Sequence, residues 1–215
     1  MLAALLERRR PTAFATWLAD ASVASGAALN RVAFEIAFAS AGRRFGTAAI
    51  GSGATVAGAG GRTWSIAGWG LDEAARALLV LGGVAALPAA DQPAFVDGLY
   101  RAGALRERQA VLRALALLPD PARFCAIALD ACRASAQPVF EAIACENPYP
   151  AAWFAEPSFN QMALKAVFTG VAVARILDLE TRRTADLARM AADYAAERRA
   201  AGRPVPTDLA LLAAP

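Results

Sequence analysis

QPVFEAIACENPYPAAWFAEPSFNQMALKAVFTG, residues 137–170, mixes aromatic, amide and charged side chains more closely than any other part of a chain dominated by Ala, Leu and Arg. Val139, Phe140 and Ile143 form an apolar stripe that predicts a short helix starting near Gln137-Pro138. Pro148 and Pro150 then bias Asn147 and Tyr149 away from helical backbone, which predicts a proline-locked corner at Asn147-Pro148-Tyr149-Pro150. Trp153 and Phe154 can fold back onto that corner. Pro157-Ser158 opens a second helix, with Phe159, Met162, Ala163, Ala166 and Val167 on its inner face and Gln161, Lys165 and Thr169 on another.

Working outward towards the N-terminus, the same period returns. Pro119-Asp120-Pro121 marks a turn, and Ala122 to Ser135 carries Phe124, Ala128 and Ala131 on one face. Leu105 to Leu118 places Val111, Leu112 and Leu115 inward, with Arg106, Glu107, Arg108 and Arg113 expected outward. Asp91 opens a helix lined by Phe95, Leu99 and Ala102, and Asp72 is expected to cap Glu73 to Leu87 ahead of Pro88. Residues 46–70 lose the period and are rich in Gly, which predicts a long loop, poorly ordered at its tip and anchored by Trp64 and Trp69. Gly51-Ser52-Gly53 lacks the flanking strand and the third glycine of a dinucleotide loop. Thr12 to Gly26 and Leu29 to Ala41 read as helices. The second has Val32, Ile36 and Ala39 on one side and Phe34 and Phe38 on another, so it is expected to lie between neighbours.

Towards the C-terminus, Thr184 to Ala201 has a core stripe of Leu187, Met190, Ala191 and Tyr194. Its outer face carries Asp186, Arg189, Asp193 and Glu197, which reads as solvated, arginine-compensated surface. Gly202 ends that helix, and Pro204 and Pro206 begin a tail expected to be extended and pinned by Leu209, Leu211 and Leu212. The organisation expected is therefore N-terminal helices (1–45), a Gly-rich loop (46–71), a helical domain (72–203) and a tail (204–215). The fold class is all-α, either antiparallel hairpins stacked as a HEAT- or TPR-like array or an irregular helical bundle.

Composition removes several functions. The 215 residues carry 22 Lys+Arg and 19 Asp+Glu, a net charge of +3, and the arginines alternate with acids instead of clustering. Nucleic-acid binding is not expected. Mean hydropathy is +0.37, yet the longest apolar run, Ala74 to Ala90, is broken by Arg76, Gly82-Gly83 and Pro88 and is too short to span a bilayer. The N-terminal segment puts Leu2, Leu5 and Leu6 before Glu7 and Arg8 to Arg10, the reverse of a signal peptide. Three cysteines, Cys125, Cys132 and Cys145, suggest reduced, buried thiols and a cytoplasmic setting. The sequence contains no histidine, so the commonest metal ligand and general base are missing, which counts against catalysis.

Three motifs together, FEAIACENPYPAAWF, FNQMALKAVF and LARMAADYAAERRAAGRPVP, resemble the EboA-domain family over roughly residues 72–212. The resemblance implies a bacterial protein of metabolite traffic, acting beside a UbiA-like prenyltransferase and TIM-barrel proteins, cytoplasmic or associated with the inner membrane. It carries over no catalytic residue, no metal and no cofactor. The family pattern has His and Trp where this chain has Ala196 and Arg199, and Trp where it has Phe159. Candidate ligand or partner contacts are Glu141, Asn147, Tyr149, Trp153, Asn160, Gln161 and Lys165 around the corner, with Asp193, Tyr194 and Arg198 on the last long helix. The function implied is a non-catalytic scaffold or carrier for a small apolar, prenylated metabolite. The alternative is an enzyme using Glu141, Tyr149, Asn160, Gln161 and Lys165, and a third reading is peripheral membrane contact through the Arg8–Arg10 helix.

Overall fold

The computed structural model describes residues 2–10, 12, 14–15, 17, 29–58 and 61–213. The fold is all-α: among the described residues there are twelve α-helices, several 3-10 turns and one two-stranded hairpin. Contacts divide the chain into two units, residues 1–128 and 129–215.

The first unit contains α1 (Leu2–Arg9), α2 (Arg31–Phe45), β1 (Thr55–Ala57), β2 (Thr63–Ser65), α3 (Leu71–Ala85), α4 (Gln92–Ala102) and α5 (Leu105–Ala114). It also holds the start of α6 (Cys125–Arg133). Helix α3 is its axis. Ala74, Ala75, Ala77, Leu79, Val80 and Val84 are all buried, so the apolar run is a core helix wrapped by α1, α2, α4 and α5. That arrangement is a bundle around one helix, not an array in which each hairpin meets only the next. Gly83 lets α2 and α4 close on it, because a Cβ there would come within 2.8 Å of Phe95 and 3.1 Å of Phe34.

Two expectations change here. Residues 46–70 contain the β1–β2 hairpin, in register Val56 opposite Trp64, although Trp64 and Trp69 are buried anchors as expected. Its tip, residues 59–60, lies outside the described residues. Asp72 does not cap α3. The cap is Gly70, whose N–H donates to Glu73 Oε2 at 2.6 Å, and Asp72 turns inwards. Most of the expected Thr12–Gly26 helix falls outside the described residues, but Trp17 is fully buried and donates to Ala37 O at 3.2 Å.

The second unit contains the rest of α6, then α7 (Gln137–Ala144), α8 (Tyr149–Trp153), α9 (Glu156–Phe168), α10 (Leu179–Arg182), α11 (Ala185–Ala200) and α12 (Leu209–Ala213). The corner is itself helical. Tyr149 and Pro150 occupy the first turn of α8, where a proline lacks only an N–H that would be unused anyway, so Tyr149 is not extended as expected. Phe159, Met162, Ala163, Ala166 and Val167 are buried on α9 as their spacing predicts. Helix α11 is capped by Thr184, which accepts from Leu187 N at 3.3 Å. In the tail Leu209 and Leu212 are buried, while Leu211 is exposed.

Candidate functional site

The ten residues nominated by sequence separate into two groups, and most are engaged in holding the fold. Asn147 builds the corner: its Nδ2 donates to Ala142 O at 2.9 Å and its Oδ1 accepts from Tyr149 N at 3.0 Å. Tyr149 is fully buried, 4.8 Å from the Trp153 ring and edge-on to Phe154 at 6.1 Å. Arg182 locks α8 from outside, donating to Ala151 O and Phe154 O and lying 4.7 Å over Phe159. The corner is therefore a packed joint, with its tyrosine sealed away from any ligand.

Lys165, the only lysine, donates at 2.7 Å to both Cys132 O and Ala134 O, the carbonyls closing α6, and lies 4.9 Å over the Phe140 ring. Its charge completes a helix C-terminus. Glu141 is held elsewhere, by Gln137 Nε2 at 2.7 Å and Arg175 Nη1 at 2.6 Å. Arg175 also grips Glu146, and hydrogen bonding to Glu146, then to Glu141, raises its pKa despite the opposing effect of burial. The Lys165–Glu141 pair needed for the enzymatic alternative is thus split between different partners. Gln161 is exposed beside Lys165 in a cleft with Leu129, Cys132 and Arg133. Asn160 is fully buried, and neither end of its amide has a hydrogen-bond partner. Asp193 pairs with Arg189 at 3.0 Å on the surface, Tyr194 packs 4.4 Å from Phe168, and Arg198 covers Tyr194.

The first unit holds features that were not anticipated. Arg106 and Arg113, expected to point outward, reach Asp72 and Glu73. Arg76, 5% exposed, closes the cluster through Asp72 Oδ2 at 2.6 Å and Phe38 O at 3.0 Å. Burial raises the Asp72 pKa, but the hydrogen bond from Arg106 and the charges of Arg106 and Arg76 outweigh it and hold the carboxyl below its ordinary value.

Beside this cluster, α2, α4 and the start of α5 enclose a groove of about 340 Å³. Its floor is aromatic. Phe34 stacks on Phe38 at 5.7 Å and meets Phe95 edge-on at 5.2 Å, with Leu99 completing the wall. Among the described residues its ionisable rim is Arg31, Glu35 and Glu107. Glu107 spends Oε2 on Ala104 N and leaves Oε1 3.9 Å from Arg76. Gly98 faces open space. The groove has the size and apolar character of a small-molecule pocket. The two-sided pattern of α2 predicted a helix between neighbours; Phe34 and Phe38 are buried and floor the groove, but Val32 and Ile36, outside its lining, are 67% and 62% exposed, so that expectation holds for one stripe only.

Other expectations also resolve. Leu2, Leu5 and Leu6 of α1 are buried against the protein and Arg9 donates to Ile50 O, so the apolar face that membrane contact through this helix would require is already used. No helix among the described residues is long and apolar enough to cross a membrane. Cys125 and Cys132 are half-buried, not buried as expected, and Cys145 is buried; none of the three is in a disulfide. Among the described residues no group of three or more Cys, Asp or Glu side chains is placed to hold a metal ion.

The sequence model of one family, described as metabolite traffic protein EboA, matches residues 1–213. The match takes in the first 70 residues as well as the three motifs. No curated protein and no solved structure matches the chain.

Proposed function

This chain belongs to the EboA family of metabolite traffic proteins, and on that premise we propose that it is a non-catalytic carrier holding a small apolar metabolite in the Phe34–Phe38–Phe95 groove. One observation carries the reading: an open groove of about 340 Å³ whose floor is the edge of the core, three largely buried phenylalanines. Apolar surface gains roughly 25 cal/mol for each Å² removed from water, so a prenylated or polyene compound fits this floor better than a sugar or nucleotide. The rim groups Arg31, Glu35 and Glu107 suit an occasional hydroxyl or amine at one end. The pathway partners we propose are a UbiA-like prenyltransferase and TIM-barrel proteins at the cytoplasmic face of the inner membrane.

Titration of the purified chain with farnesol, followed by displacement of a bound naphthalene-sulfonate dye, tests the proposal. Gly98→Phe should fill the groove from a helical position with open space above it, abolishing displacement while leaving the urea midpoint unchanged. Equal displacement in parent and variant would place the ligand elsewhere. Turnover of pathway intermediates by the isolated chain would replace carrier with enzyme.

A further inference from the structure

We infer that the outer face of α2 is a self-association surface, on which a second copy of this chain docks antiparallel. The surface adjoins the groove, because Ala39 and Glu35 line both, and its test reads self-association and not ligand binding.

Val32, Ile36, Ala39 and Arg43 are spaced four, three and four residues apart, the spacing of a coiled-coil seam. All four are exposed, on the side of α2 opposite the buried Phe34, Ala41 and Phe45. Val32 and Ile36 are two of the five large apolar side chains that stand exposed among the described residues, and they lie one turn apart on one helix. A paired patch of this kind marks contact with another surface more often than a scattered one does.

Charge selects the occupant and its direction. Glu35 flanks the N-terminal half of the seam and Arg43 ends it, and neither makes an ion pair among the described residues. A parallel second copy would set Arg43 against Arg43 in the seam. An antiparallel copy that seats Ile36 on Ala39 of its mate brings each Glu35 opposite Ser40, about 4.5 Å along the axis from Arg43, a span that an arginine side chain covers. The two-fold axis then repeats the Glu35–Arg43 pair and the large-on-small Ile36–Ala39 contact. One helix on one helix buries less than the roughly 1,200–2,000 Å² of a stable interface, so the dimer should be reversible.

Sedimentation of the full chain across about 5 to 500 μM reads this directly. The weight-average mass should climb from 22.3 kDa towards twice that value. Ile36→Glu should hold the chain monomeric throughout. Glu35→Arg and Arg43→Glu should each weaken association by about tenfold through like-charge contact, and the two together should recover to within about threefold of the parent. A parent that stays monomeric over the range, an Ile36→Glu variant that still dimerises, or a double variant with native circular dichroism that is no better than either single one overturns the proposal.

Discussion

Arg106 holds Asp72 with both prongs of its guanidinium, Nε to Oδ2 at 2.8 Å and Nη2 to Oδ1 at 2.5 Å, across 34 residues of chain. Asp72 is fully buried and shares Oδ2 with Arg76. Removing it leaves Arg76 buried without its nearest counter-charge. Asp72→Ala should cost about 3–5 kcal/mol, seen as a lower urea midpoint with an unchanged slope.

The same pair sets a pH dependence. The folded Asp72 carboxyl titrates below its ordinary 3.8, so its contribution is complete above that value and is lost as pH falls through the lower folded one. Unfolding free energy should therefore drop below about pH 4. Asp72→Asn should show a shallower fall below about pH 4 than the parent; parallel acid limbs would mean that other carboxyls dominate.

Gly83 sits where α2 and α4 meet the central helix. Gly83→Ala gains helix propensity of about 1 kcal/mol but drives a methyl into Phe95 and Phe34, an overpacking cost of about 1–3 kcal/mol. The expected outcome is a small net loss of stability together with weaker dye binding, since both rings floor the groove. Improved stability with intact binding would show that the rings can move aside.

Lys165→Met should lower stability by about 1–2 kcal/mol, because the carbonyls of Cys132 and Ala134 lose their shared donor. Lys165→Arg should restore part of it. Farnesol binding should be untouched by either change, since Lys165 lies outside the groove lining. A binding defect in Lys165→Arg would return this lysine to the list of ligand contacts.

At the corner, Tyr149→Ala removes a fully buried ring and should cost about 3–5 kcal/mol by thermal or urea unfolding. Asn147→Ala breaks the two hydrogen bonds that shape the turn, at about 1–3 kcal/mol. If both variants fold normally and lose only partner binding, the corner is a recognition surface after all.

Much of this was legible beforehand. The stripes of α7 and α9, the span of α11, the Gly202 stop and the folding of Trp153 and Phe154 onto the corner all follow from spacing and punctuation within a few residues. The family likewise emerged from three local motifs and extends over residues 1–213. What misled were residues with two outlets. Arg106 and Arg113 look solvent-facing because an arginine on a polar stripe is usually wet, yet carboxylates in a distant helix drew them inward. Lys165 stands out in the sequence because it is unique, but its partners, two carbonyls at the end of α6, lie more than 30 residues away and leave no local pattern.

By itself the sequence determined that this chain is helical and roughly where each helix starts and stops, since those choices are made by hydrogen bonds and φ/ψ preferences among near neighbours. Only the tertiary structure decided which apolar stripe of α2 is inside, which arginines pair, and that a phenylalanine-floored groove stays open. Those outcomes depend on groups far apart in the chain, and no local pattern encodes the distance between them.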